Sequence, residues 1–173
     1  MKIRNGFVTN SSSSSFILTF YKGYKKEYRT DEEIIKQEIE ARLGAVVKDE
    51  IVQMITDKVV DNIVSSEEAL KFIIDNDGYW EHVAEVEEMF GFDNKYNCET
   101  EEDEWIGCTK EEAAFLDKIS KNKAIREAKR KISTGKDYVH SIVEFGNETD
   151  GILGQMIEDF VMPEISQHRV SHH

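Results

Sequence analysis

The residues best placed to do chemistry stand near the start of the chain. Ser11, Ser12, Ser13, Ser14 and Ser15 run consecutively behind Asn10, with Arg4 a short way upstream. Hydroxyls and backbone amides at this spacing can form a concave nest for an anion such as phosphate. Arg4, Lys22, Lys25 or Lys26 would supply the counter-charge. The same hydroxyls are candidate phosphorylation sites, each adding about −1.5 to −2 charge. A serine nucleophile is disfavoured, because the Gly-x-Ser-x-Gly elbow is absent. The plain alternative is a polar turn, since small polar residues are its usual filling. Phe7-Val8 and Phe16-Ile17-Leu18 close the tract on both sides, so it reads as a loop between ordered segments.

Other constellations are weaker. Cys98, Cys108, His82 and His140 contain no pair at zinc-ligand spacing. Without a secretory signal the cysteines read as free thiols. Asp93, Lys95, Asn97, Glu99, Glu101 and Glu104 have the length of a calcium loop. A lysine stands at a ligand position there, and the sixth-place glycine is missing. Ser133-Thr134-Gly135-Lys136 fails as a phosphate loop: Arg130 replaces the required glycine and Asp137 follows the lysine. His140 beside Glu144 could act as an acid–base pair, but the default is a partly exposed strand histidine. No metal, no cofactor and no catalytic residue is therefore expected.

Charge is unevenly spread. The chain carries −13 overall, yet residues 1–29 hold six cations against Glu27 alone. A basic head thus precedes an acidic body. Phe20, Tyr21, Tyr24 and Tyr28 interleave with that head, a pattern that can serve single-stranded nucleic acid by charge and stacking. Elsewhere nucleic acid is not an expected partner. Glu99, Glu101, Glu102, Asp103 and Glu104 form the densest acidic stretch. They are the candidate interaction surface, including for DNA mimicry, in which carboxylates stand in for phosphates. No apolar run approaches the ~20 residues of a membrane span, so a cytoplasmic protein without membrane contact is expected.

The elements that must position these groups follow from periodicity. Phe16–Tyr21 predicts a strand, with residues 6–9 as a short partner, and Tyr138–Phe145 predicts another. Thr30…Glu33, Ser65…Glu68 and Thr109…Glu112 are capping boxes that open helices. Ile35, Ile39 and Leu43, then Val47 to Ile63, recur at spacing four. Tyr79, Val83, Val86 and Phe90 share a helical face. The helix from Thr109 towards Ile132 has room for an interruption near Ser120–Asn122, and its basic last turns suit a helix C-terminus. Leu153, Met156, Ile157 and Phe160 predict a last helix before Pro163. Residues 93–104 lack apolar periodicity and read as a loop. The expectation is one α+β domain over residues 1–163, mostly helical. A small antiparallel sheet carries helices on one face, and residues 164–173 form a loose tail. A helical bundle with a β-hairpin is the alternative.

Arg4-Asn5-Gly6-Phe7-Val8-Thr9-Asn10, the serine run and Phe16-Ile17 together resemble the opening of many uncharacterised proteins of bacteriophages and mobile elements. Those commonly have serine where Thr9 stands here. The resemblance covers residues 2–18 and implies a phage-type origin, hence a host-cell setting, with no activity attached. A shared opening on varied bodies suits either a tag read by a common partner or a shared hairpin. The expected function is protein binding, to a host or phage partner, with Arg4, Asn10 and Ser11–Ser15 as the recognition element. A nucleotide- or phosphate-binding module, or an enzyme, centred on the serines is the alternative, and a DNA-mimic inhibitor is another.

Overall fold

The computed structural model describes residues 13–23 and 29–171. Arg4, Asn10, Ser11, Ser12 and the expected strand at 6–9 lie outside the described residues. The fold is α+β. Strand β1 (Ser13–Tyr21) leads to helices α1 (Asp31–Leu43) and α2 (Asp49–Asp61), then to the short strand β2 (Ile63–Val64). Helix α3 (Ser66–Ile73) continues through a π-helical turn (Ile74–Gly78) into α4 (Tyr79–Phe90). Strands β3 (Asp93–Asn97) and β4 (Glu102–Ile106) precede the long α5 (Lys110–Lys131) and strand β5 (Tyr138–Gly146). Helix α6 (Asn147–Met156), a second π turn (Ile157–Val161), α7 (Met162–Ile165) and β6 (His168–Ser171) follow.

Four strands form one antiparallel sheet in the order β2-β5-β1-β6. β1 is central, and its first eight residues are all buried. Alternation sends Phe16, Leu18 and Phe20 to one face, with Val139, Val143 and Phe145 of β5. α1, α2 and residues of the 157–165 segment cover that face. Ile17 and Ile142 point the other way, against Ala69 and Ile73 of α3 and Ala128 of α5. The expectation of helices on one face is therefore corrected: both faces are covered. The cause is visible in Phe16-Ile17-Leu18, an unbroken apolar run that suits burial on both sides. Full burial of each large apolar side chain contributes ~1.5–3 kcal/mol, so a sheet with two apolar faces gains from two helical layers. The bundle alternative falls with the same observation.

All three capping boxes are present. Thr30, Ser65 and Thr109 accept from the backbone amides of Glu33, Glu68 and Glu112, whose carboxylates accept from the cap amides in return. The Ser65 amide and hydroxyl hold the Glu68 carboxyl below its usual range. Helix α5 runs unbroken through Ser120–Asn122, with Ser120 fully buried. The spacing-four pattern of the second helix stops at Asp61, and Ile63 pairs with Ser141 in the sheet.

Two further expectations are overturned. Residues 93–104 are no loop: β3 and β4 form a hairpin, from Asp93 opposite Ile106 to Asn97 opposite Glu102. Glu101 takes φ 56° in its turn. The strands are polar because one face is open; Trp105, on the covered side, packs with Val83, Val86 and Leu116. Nor are residues 164–173 a loose tail up to Ser171. Ile165 and Val170 are buried, and β6 pairs with β1 from Ser14 to Ile17. That pairing covers a sheet edge that would otherwise stand open. Four residues beginning with His168 were too short to show a strand period.

Candidate functional site

Ser13, Ser14 and Ser15 are strand residues, buried at 7%, 1% and 4% exposure. They are not a loop, and they present no concave nest to solvent. Ser14 shares the face of Phe16. Its hydroxyl donates to Glu158 Oε1 at 2.6 Å and accepts from Arg169 Nε at 3.0 Å. Arg169 Nη2 donates to the same Oε1 at 2.7 Å, and its guanidinium lies 5.6 Å from the Phe16 ring centroid. Glu158 is 1% exposed, and its Oε2 has no hydrogen-bond partner among the described residues. The cluster ties β1, the second π turn and β6 together. Ser14 therefore serves the fold. Sequence reasoning missed Glu158 and Arg169 because a contact across so many residues leaves no local pattern.

Within the acidic stretch only Asp103 is turned away from the open face. Glu99 and Glu101 are exposed at the hairpin turn. Glu102 and Glu104 alternate along β4 with Asp103 and Trp105, so Asp103 faces the covered side and its Oδ1 is buried. Trp105 Nε1 donates to Asp117 of α5 at 2.9 Å, and Thr100 donates to Glu104 Oε1 at 3.2 Å. Cys98 and Cys108 are unbridged.

His140 differs most from expectation. It is 1% exposed, on the face of β5 covered by α3. Nε2 lies 2.8 Å from Ser66 Oγ, and Nδ1 lies 3.1 Å from Thr19 Oγ1. Burial pushes its pKa below the ordinary value of 6.5, so the ring is held neutral. Ser66 Oγ also accepts from the Gly135 amide at 3.1 Å. Glu144 takes no part in these bonds. The chain Thr19–His140–Ser66–Gly135 links the sheet to the first turn of α3 and the loop before β5. Ser66 has a neutral imidazole at hydrogen-bond distance, but both ring nitrogens are occupied by hydroxyls and the ring is walled off from solvent.

Two open features remain. At the Tyr21–Tyr138 end of the β1–β5 pair lies a cleft of about 420 Å³. Its walls include Tyr21, Tyr138, Arg42 of α1, and Lys129, Arg130 and Lys131 from the last turn of α5. The tyrosine ring centroids are 5.5 Å apart, and Tyr21 is half exposed. In sequence Lys129, Arg130 and Lys131 read only as a helix-end charge preference. At the opposite end, where Ser13 pairs with Gly146, α6 begins. Ile152, Leu153, Met156 and Phe160 are 80%, 42%, 54% and 75% exposed there. The apolar period of Leu153, Met156, Ile157 and Phe160 predicts a helix, and its usual companion is a buried face; instead Ile157 is buried while the other three and Ile152 face out. Lys58 of α2 reaches Asp150 at 2.8 Å and lies 4.2 Å from the Phe145 ring centroid, fixing the start of α6 against the sheet.

Among the described residues no helix is long and apolar enough to cross a membrane. Comparison with known protein families, with curated proteins and with solved structures finds no match.

Proposed function

We propose that this chain works by binding a protein partner, with the apolar face of α6 and its following π turn as the contact surface. The observation that carries this reading is the exposure of Ile152, Leu153, Met156 and Phe160 in one short segment. Ile152, Met156 and Phe160 recur at spacing four. Contiguous exposed apolar side chains on a soluble chain mark interaction sites, whereas scattered ones do not. Asp159 and Glu164 are exposed beside them, so the partner fits best as an apolar patch with a basic rim. The register supports the location: β1 starts at Ser13 opposite Gly146, one residue before α6. The segment resembling phage and mobile-element proteins thus joins the sheet next to the exposed face. Arg4, Asn10, Ser11 and Ser12 stay within the proposed recognition element. Ser13, Ser14 and Ser15 leave it, because their side chains are buried. The resemblance supports a partner in the cytoplasm of a bacterial host.

The test uses the full chain as bait in a bacterial lysate, followed by reconstitution with the purified protein it retains. Ile152→Glu/Phe160→Glu should keep the fold by circular dichroism and weaken the reconstituted complex at least ~100-fold, since each apolar side chain contributes ~1.5–3 kcal/mol when fully buried. Equal retention by wild type and variant would refute the assignment. So would sedimentation showing that the face is covered by a second copy of the chain.

A further inference from the structure

We propose that the cleft at the Tyr21–Tyr138 end of the sheet is a nucleotide site: it takes a phosphate with its cations and a planar base against its tyrosines. The proposal is independent of the α6 face, which lies at the other end of β1.

Charge comes first. The chain has 35 acidic residues against 22 lysines and arginines. Among the described residues the balance reverses around this cleft: Arg42, Lys129, Arg130 and Lys131 line it, with Glu38 as the acidic residue. Glu38 lies 3.5 Å from Arg42, one turn along α1. Arg130 is held at 2.7 Å by Glu127, which is outside the lining. Lys129 has no anionic partner among the described residues. A helix C-terminus favours cations within its own last turn, which accounts for the three on α5. Arg42 stands in the last turn of α1, so the same preference covers it; the preference does not account for two helix ends from opposite faces of the sheet bringing their cations to one cleft. Cations converging from two elements repel one another, and an anion between them turns that repulsion into attraction.

The rest of the lining specifies more than an anion. Tyr21 and Tyr138 are directly paired in the β1–β5 register, with rings tilted at 49°. A half-exposed tyrosine ring is a stacking surface for a base, and every base has a face to offer. Ser133 and Thr134 bring hydroxyls. Gln167 gives Oε1 to the Thr19 amide, which leaves its NH2 to donate. The volume lies within the 300–1,000 Å³ range of small-molecule sites. Phosphate donors, a ring platform and a few polar groups on one wall are the parts that a nucleotide requires.

Titration by NMR with three probes separates the sources of the shared chemistry: inorganic phosphate, ADP, and a short oligothymidylate. Expected is saturable binding of ADP, with shifts confined to the cleft residues. ADP should bind at least ~10-fold more tightly than phosphate, because stacking adds to charge. Lys129→Glu/Arg130→Glu should weaken ADP at least ~10-fold and reduce its salt dependence. Tyr21→Ala should weaken ADP and leave phosphate unchanged. Thermal unfolding confirms that each variant folds, and Lys129→Gln alone serves if the double reversal does not. Three results overturn the proposal: no ADP binding at millimolar concentration, ADP binding that ignores both changes, or phosphate and ADP binding equally. Tighter binding of the oligothymidylate, with the same dependence on Tyr21 and Lys129, would place the base and phosphate in a strand and overturn the free-nucleotide assignment.

Discussion

Replacing Arg169 with methionine probes the buried cluster at the start of β1. Methionine keeps an apolar stem over Phe16 and removes the charge. Glu158, 1% exposed, then retains the Ser14 hydroxyl as its hydrogen-bond donor, with Oε2 still unpaired. Removing one partner of a buried ion pair costs ~3–5 kcal/mol, because the remaining charge stays desolvated. The Arg169 side chain is 41% exposed, so solvent screens part of the attraction. That reduces the expected loss to about 2–3 kcal/mol. For a domain near this size each kcal/mol lowers Tm by ~2–4 °C, giving a fall of about 4–12 °C. The assay is urea unfolding of wild type, Arg169→Met, Glu158→Gln and the double variant. The double should recover stability relative to Arg169→Met alone, with a coupling energy of at least ~1 kcal/mol. Strictly additive effects, or a single-variant loss under ~0.5 kcal/mol, would sink the argument that this pair is electrostatically coupled in the interior.

Two other perturbations follow from the same structure. The folded state holds His140 neutral, with its pKa depressed below 6.5 by burial; its contribution is fully present above the unfolded value of about 6.5 and is lost as pH falls from there through the folded value. Between pH 7 and 5 the wild type should therefore lose more stability than His140→Gln, by up to about 1.4 kcal/mol per pH unit, as read from unfolding free energies across a pH series. Gly154→Ala would place a methyl 2.5 Å from the Gly146 carbonyl oxygen and 2.6 Å from Asp150 Cβ, and the expected cost of forcing α6 outward is about 1–3 kcal/mol, measured as a lowered Tm together with weaker capture of the partner.

How much of this was legible depended on the range of the interactions. The three capping boxes were readable because both halves of each lie within one turn. Phe16–Tyr21 and Tyr138–Phe145 were readable because β-branched and aromatic runs are local. The hairpin at 93–106 was hidden by its polar open face: Glu102 and Glu104 alternate with Asp103 and Trp105, and one buried tryptophan is too weak a period. The serines misled because composition argued for a turn, while Glu158 and Arg169 supply partners that allow Ser14 into the interior. His140 was misplaced for the same reason, its partners Thr19 and Ser66 being far away in sequence. The candidate sites fared worse than the fold. A cleft built from α1, α5 and two strands, or a helix face left uncovered, is a tertiary fact with no local signature.

The two proposed contacts sit at opposite ends of one strand pair. Ser13 opposite Gly146 marks the α6 end, and Tyr21 opposite Tyr138 marks the cleft. Eight residue steps at the usual strand rise put them about 27 Å apart. Substitutions separated by more than ~7–10 Å and sharing no partner usually act independently. Phe160→Glu should then leave ADP binding unaltered, and Lys129→Glu should leave partner binding unaltered. Electrostatics sharpens the distinction. The cations of the cleft attract a nucleotide, and the acidic rim at α6 would attract the proposed basic partner. Raising salt should therefore weaken both, while ADP should compete with the partner at neither end. Linkage between the two ligands, in either direction, would mean that the β1–β5 pair transmits between its ends.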